Sequence, residues 1–194
     1  MKNVLWVDCC IRGEESRTLR LSRAFLDALP QDCAVTHLDL MQLQPRYFFG
    51  DYLEERQKLL EQGNLSHPRF DLAHQFAAAD EIVVSAPFWD LSFPALLKVY
   101  IEQVSLDGIT FASTEAGLVG RCRAERMVYL TTRGGFYTGD ELEMGSRYME
   151  ALSKFFGIGR YDCIAADGMD VAGFDGEASL NAAMEKAAAL AKTL

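Results

Sequence analysis

The alternation of short apolar runs with helix-like segments constrains the fold of this chain most strongly. The runs 4–7, 82–84 and 127–130 are apolar on both faces and too short for helices, which is typical of buried strands. The stretch 34–40 alternates as a strand nearer a sheet edge does, and 159–166 completes the set of five. Strands that alternate with helices pair in parallel through right-handed crossovers. The sequence therefore predicts an α/β fold, a three-layer, doubly wound, five-stranded parallel sheet, for which the order 2-1-3-4-5 is one common solution.

The segments between these strands predict the helices. Ser16 is the expected N-cap of the first helix and Pro30 its limit, while Ser92 is the expected N-cap of the helix that follows the third strand. Asp51 and Glu54 predict a capping box for a helix that ends before residue 63. Further helices are predicted at 66–79, 141–156 and about 174–193. The segment 41–50 is expected to be irregular, and 108–120 is expected to lead into a loop.

Length and charge restrict the class of protein. A chain of 194 residues suits one domain, 1–194, with a sizeable core. Its net charge of −9 argues against binding to nucleic acid or to an anionic membrane surface. No apolar run approaches the roughly 20 residues of a membrane span, and the N-terminus enters a strand directly. A cytoplasmic protein is therefore expected.

Cysteine and histidine give no metal signal. The five cysteines are scattered and form no C-x-x-C pair, so plain thiols are expected, including the adjacent Cys9 and Cys10. The three histidines lie near no carboxylate cluster in the sequence. No metal site is predicted.

Three loops follow the carboxyl ends of predicted strands, where open α/β sheets bind ligands. In the loop 9–18, hydroxyl groups, a guanidinium and a helix N-terminus favour a phosphate. The loop 86–92 offers aromatic faces, and the loop 132–137 offers two glycines whose backbone N–H groups have room to approach a flat ring. Taken singly, each loop is better explained by an ordinary structural role, namely a helix cap, core packing or a turn.

The motifs of several enzyme classes are missing. Ser146 lacks the second glycine of a nucleophile elbow, no Walker A lysine loop is present, and the glycine fingerprint of dinucleotide folds does not follow the first strand. No catalytic side chain is predicted. A flavin site needs none, because the flavin ring carries the hydride chemistry itself.

Four segments together resemble a known family. The run APFWDLSFPALLKVYIEQVSLDGITF (86–111) resembles the Ala-Pro-Met-Tyr-Asn-Phe…Pro…Leu-Lys-x-Tyr-x-Asp…Gly-x-Thr-Phe signature of flavodoxin-like, FMN-dependent NAD(P)H oxidoreductases, the azoreductase and quinone reductase group. TTRGGFY (131–137) is similar to the family's Ser-Arg-Gly-Gly loop, and CIAADGMD (163–170) to its Ala-Glu-Gly strand end. The start of the first helix resembles the family's phosphate loop. The resemblance spans nearly the whole chain in order.

This resemblance implies a flavodoxin-like fold and a homodimer with FMN near the subunit interface. It also implies ping-pong hydride transfer from NAD(P)H through FMN to a quinone, azo or similar small-molecule acceptor. The residues that would hold the phosphate are Ser16, Arg17 and Thr18. Those that would flank the ring or contact its polar edge are Pro87, Phe88, Trp89, Asp90, Leu91, Thr132, Arg133, Gly134 and Gly135, with Tyr137 beside them.

Two positions depart from the family pattern. Cys10, which we include in the predicted cofactor site, and Cys9 stand just after the first strand, where the family commonly has serine. Asp90 replaces the usual asparagine, so an amide donor is exchanged for a negative charge. Close to the ring, that charge should lower the flavin potential and weaken binding of reduced FMN.

Two alternative functions remain compatible with the sequence. A flavodoxin-like electron carrier would exchange electrons with a redox partner but would not oxidise nicotinamide directly. A flavin-free protein of the same fold would act through protein contacts, and Asp90 with the Cys9–Cys10 pair is its best support.

Overall fold

A computed structural model describes residues 1–194 as a central sheet between two layers of helices. The strands are β1 (Lys2–Asp8), β2 (Cys33–Asp39), β3 (Glu81–Ser85), β4 (Phe111–Thr114), β5 (Gly117–Gly120), β6 (Arg126–Thr132) and β7 (Arg160–Ala166). The α-helices are α1 (Arg17–Leu26), α2 (Leu40–Leu43), α3 (Gly50–Glu61), α4 (Asp71–Ala78), α5 (Ala95–Val104), α6 (Gly145–Phe155) and α7 (Gly176–Ala191). Short 3₁₀ turns cover Gly13–Glu15 and Pro68–Phe70.

The main sheet has the predicted parallel topology. Its five strands lie in the order β2-β1-β3-β6-β7, and every neighbouring pair is parallel. This is the order 2-1-3-4-5 expected of a flavodoxin-like fold, and it is confirmed. The alternating strand β2 lies at an edge, whereas β3 and β6, which contain the apolar runs 82–84 and 127–130, are central and wholly buried.

Successive side chains of the central strands point to opposite faces of the sheet and pack in two hydrophobic cores. Leu5, Val7 and Tyr129 pack on one face under α4, α5 and α6, together with Phe76, Leu97 and Met149. Val4, Trp6 and Leu130 pack on the other face under α1 and α7, with Phe25 and Leu180. A strand buried on both faces needs apolar residues at every position, which explains the continuous runs in the sequence.

The prediction for residues 114–120 was wrong. The segment expected to be a loop through residues 114–120 contains the antiparallel hairpin of β4 and β5, outside the main sheet. A β-carbon on Gly120 would lie 2.0 Å from the Gly157 nitrogen, so this hairpin packs directly against the backbone after α6. Strands of four residues with little alternation carry no clear periodic signal.

Several helix ends also differ from the predictions. Ser16 is the N-cap of α1, as predicted, and its hydroxyl accepts a hydrogen bond from the backbone N–H of Leu19. Ser92 is not a cap, because it pairs with Trp89 in a tight turn and α5 begins only at residue 95. The capping box at residues 51–54 is absent, since the N-cap of α3 is Phe49, two residues earlier, and makes no side-chain hydrogen bond. None of the helices is long and apolar enough to cross a membrane.

Candidate functional site

A cavity of about 550 Å³ lies where the predicted ligand loops meet, at the carboxyl edge of β1, β3 and β6. The position agrees with the rule that open α/β sheets bind ligands beyond the carboxyl ends of their strands. Every residue of the predicted cofactor site except Cys10 lines this cavity: Ser16, Arg17, Thr18, Pro87, Phe88, Trp89, Asp90, Leu91, Thr132, Arg133, Gly134, Gly135 and Tyr137. The structure therefore brings together three loops that are far apart in the sequence.

The first part of the cavity is the N-terminus of α1. Ser16 is buried and caps the helix, while the first helical N–H groups, those of Arg17 and Thr18, have no carbonyl within the helix to donate to. The Thr18 hydroxyl lies 2.7 Å from the Thr132 hydroxyl, which ties this corner to the end of β6. A helix N-terminus with free N–H groups and a neighbouring guanidinium suits a phosphate.

The second part is a tight turn at Trp89–Ser92. Trp89 and Ser92 exchange two backbone hydrogen bonds of 3.1 and 2.8 Å, while Asp90 and Leu91 take φ values of +48° and +68°. These left-handed values at both central positions are those of a type I′ turn, which usually requires asparagine or glycine. The backbone N–H groups of Asp90 and Leu91 donate to no protein acceptor, so two donors are available at this wall.

The third part is the loop 133–137, whose shape depends on the segment after β7. Backbone N–H groups of Met169 and Asp170 donate to the carbonyls of Arg133 and Gly134, at 3.0 and 2.9 Å. A β-carbon on Gly134 would lie 2.8 Å from the Asp170 carboxylate, so a larger residue at this position would displace that side chain. The N–H groups of Gly134 and Gly135 donate to no protein acceptor.

Arg133, which the resemblance places among the residues at the ring, anchors this loop from behind. Its side chain is only 4% exposed and forms ion pairs of 3.3 Å with Glu143 and with Asp167. The guanidinium also lies over the Phe88 ring, 5.6 Å from its centroid, and Phe88 packs on Tyr137 at 4.6 Å. Arg133 therefore links the second and third parts of the cavity.

Cys10 lies behind the cavity wall. It is buried in the core under α1, and its backbone N–H donates to the Asp8 carboxylate at 2.8 Å. Burial, reinforced by the neighbouring Asp8, raises the pKa of the Cys10 thiol, and the same two causes raise that of Cys9 to about 12. Both cysteines are free and buried, as expected of plain thiols.

Four lining residues were missed by the sequence prediction: Arg12, Glu15, Met169 and Asp170. The first pair lies in the first ligand loop, where the prediction selected only the hydroxyl and cationic residues nearest the helix. The second pair follows the carboxyl end of β7. The rule that selected the other loops applies equally to that strand, so the signal was available.

The donors around the cavity fit a ligand with a flat heterocycle and a phosphate. Free backbone N–H groups occur on the two loops that flank the aromatic side chains, and the helix N-terminus lies at the other side. This donor set matches the ring acceptors and the phosphate of FMN, whose ring carries the hydride chemistry without an acidic or basic side chain of the protein.

Comparisons with known proteins agree with this geometry. A family model described as flavodoxin-like fold matches residues 2–191. The chain is 38% identical to an FMN-dependent NADH:quinone oxidoreductase of Clostridium perfringens, with 99% of both chains covered. It is 36% identical to FMN-dependent NADH:quinone oxidoreductase 2 of Clostridium acetobutylicum, again with 99% of both covered. Among solved structures, an azoreductase from Bacillus anthracis superposes with a TM-score of 0.89 at 27% identity and full coverage of both chains.

Proposed function

Because this chain belongs to the family of flavodoxin-like fold proteins, we propose that it is an FMN-dependent NADH:quinone oxidoreductase. The observation that carries the proposal is the single cavity that unites a phosphate-type helix N-terminus with two loops of free backbone N–H groups. Relatives that match the whole chain are named for FMN, NADH and quinone, which supports the same cofactor, reductant and acceptor here. An azo compound is a second proposed acceptor, supported by the similar azoreductase.

Different residues of this chain would bind the phosphate, the polar ring atoms and the ring faces of FMN. Ser16, Arg17 and Thr18 would bind the phosphate, and the free N–H groups of residues 90, 91, 134 and 135 would bind the polar ring atoms. Phe88, Trp89 and Tyr137 would flank the ring and exclude water from part of it. FMN held there would supply the hydride chemistry that connects oxidation of NADH to two-electron reduction of the acceptor. The chain needs no side chain that transfers a proton at the ring.

Three further features form part of the proposal. Trp89, Leu91, Leu142 and Met144 are exposed apolar residues at or beside the cavity, which supports a homodimer with its interface there. Free thiols suit a reducing compartment, so the cytoplasm is the proposed location. The entire chain 1–194 would act as one domain. Light scattering on the purified protein should give twice the mass of one chain, and limited proteolysis should leave one resistant core.

A series of absorption spectra tests the proposed function. The purified protein, stripped of flavin and titrated with FMN, should develop a protein-bound flavin spectrum that NADH bleaches and 1,4-benzoquinone restores. NADPH in place of NADH should bleach it more slowly. A bound flavin that NADH cannot reduce would favour an electron carrier. The absence of any FMN binding would favour a flavin-free interaction protein and overturn the proposal.

A further inference from the structure

The guanidinium of Arg17 at the phosphate end of the cavity already has a carboxylate partner. Its Nη1 lies 2.8 Å from Oδ1 of Asp170, and both residues line the cavity. The Asp170 backbone is held in place by its hydrogen bond to Gly134, and its Oδ2 occupies the space that a β-carbon on Gly134 would need. The carboxylate therefore lies at the cavity because the loop geometry keeps it there.

The Asp170 carboxylate neutralises the charge of Arg17, and the other arginines that line the cavity do not compensate for this loss. Arg12 has Glu15 at 3.6 Å, and Arg133 is engaged by Glu143 and Asp167 behind the loop. Each positive group of the wall is thus matched by at least one carboxylate. A phosphate monoester carries a charge of about −1.5 to −2 near pH 7 and binds guanidinium groups strongly when they are available. In this cavity the phosphate would therefore have to share Arg17 with the Asp170 carboxylate.

We propose that Asp170 competes with the FMN phosphate for Arg17 and so weakens FMN binding. This inference rests on the proposed function, since it concerns the same cofactor site. Both side chains of the pair are largely solvent-exposed, at 41% and 71%, so the pair itself is weak and a phosphate can displace it. The displaced carboxylate stays near the phosphate because its backbone is fixed, and the two negative groups then repel each other.

The competition depends on the phosphate and not on the flavin ring, which gives a direct test. Apoprotein is titrated with FMN and, separately, with riboflavin, which has the same ring and no phosphate, and binding is followed by quenching of flavin fluorescence. Asp170→Asn removes the charge and keeps the shape of the side chain. The Kd for FMN should fall by about three- to fivefold, which corresponds to an exposed charge interaction of up to about 1 kcal/mol. The Kd for riboflavin should stay within about twofold, since its ring meets unchanged walls.

A matched control separates this effect from the change in net charge. Glu150 pairs with Lys154 on α6, at 2.7 Å, and neither residue lines the cavity. Glu150→Gln removes one negative charge at a comparable exposed ion pair, and the Kd for FMN should stay nearly unchanged. In an Arg17→Gln background, Asp170→Asn should tighten FMN binding less than it does in the wild type, because no shared guanidinium remains.

Each outcome bears on one proposal. Equal FMN affinity of wild type and Asp170→Asn, weaker FMN binding by the variant, or equal tightening for riboflavin would overturn the role of Asp170 while leaving the FMN site intact. A wild-type protein and a variant that both fail to bind either flavin would overturn the proposed function itself.

Discussion

The hydroxyl oxygens of Thr18 and Thr132 lie 2.7 Å apart, and their hydrogen bond joins the first turn of α1 to the carboxyl end of β6. Both side chains are buried. Thr132→Val keeps the shape of the side chain but leaves the Thr18 hydroxyl without this partner. We expect the free energy of unfolding to fall by about 1–2 kcal/mol, measured by urea denaturation.

Thr131 provides the control for this substitution. It is also buried, but its hydroxyl makes no hydrogen bond, so Thr131→Val removes an unpaired polar group. The unfolding free energy of that variant should be unchanged or higher. Equal losses in the two variants would mean that the Thr18–Thr132 bond contributes nothing specific.

The turn at Asp90 and Leu91 stores backbone strain at the cavity. A leucine at φ +68° costs roughly 1–2 kcal/mol relative to an ordinary conformation, whereas glycine adopts it freely. Leu91→Gly should therefore raise the free energy of unfolding by about 0.5–1 kcal/mol after the entropy cost of glycine. Asp90→Gly should raise it less, because aspartate tolerates this region better. Thermal unfolding of the two variants checks the ranking, and a destabilised Leu91→Gly protein would contradict it.

The carboxylate of Asp90 forms no salt bridge within the chain, although it lines the proposed flavin cavity. An unpaired negative charge there opposes the negative charge that a flavin gains on reduction. Asp90→Asn should raise the midpoint potential of bound FMN by about 20–30 mV, equivalent to roughly 1 kcal/mol for two electrons. Spectroelectrochemical titration measures this shift. Glu15→Gln, at a carboxylate already opposite Arg12, should shift the potential less.

The main sheet could be predicted from the sequence because its signal is local and repeated. Runs such as Ile82–Val84 are apolar at every position, and only a strand covered on both faces requires this. The hairpin of β4 and β5 could not, because its packing depends on the approach of Gly120 to Gly157, a contact between distant segments. Ser92 was misread as a helix cap for a different reason. Its backbone is already paired with Trp89, and that pairing is invisible in local composition.

The walls of the candidate site could be predicted from the loops at strand ends, but their electrostatics could not. Arg133 was predicted among the residues around the ring, but the sequence did not show that two carboxylates from other segments hold it in the interior. Asp170 was not selected at all, although it pairs with Arg17 from 153 residues away. Pairing between charged side chains leaves no periodic trace in a single sequence, so only the folded arrangement reveals which arginines are shared.

Two partly buried thiols, those of Cys122 and Cys163, should make the protein less stable at alkaline pH. Burial raises the pKa of Cys122 to about 12 and that of Cys163 to about 11, above the ordinary value near 9. Above pH 9 the unfolded chain loses these protons while the folded chain keeps them, so the free energy of unfolding should fall as pH rises towards 11. Each such thiol contributes about 1.4 kcal/mol per pH unit to the slope. Urea denaturation between pH 8 and pH 10.5 tests this. Cys122→Ala should reduce the slope, and an unchanged slope would contradict the assignment.

The ion pairs of Arg133 offer the sharpest test of how the third ligand loop is held. Arg133→Met leaves Glu143 and Asp167 as buried carboxylates without their shared cation, at 6% and 14% side-chain exposure. We expect a loss of about 3–5 kcal/mol in unfolding free energy at pH 7, because an uncompensated buried charge costs more than the pair contributes. Glu143→Gln should cost far less, since Arg133 keeps Asp167. Adding Glu143→Gln to Arg133→Met should recover part of the loss, as one buried charge is removed. Urea denaturation of the three variants measures these differences, and an additive double variant would contradict the coupling.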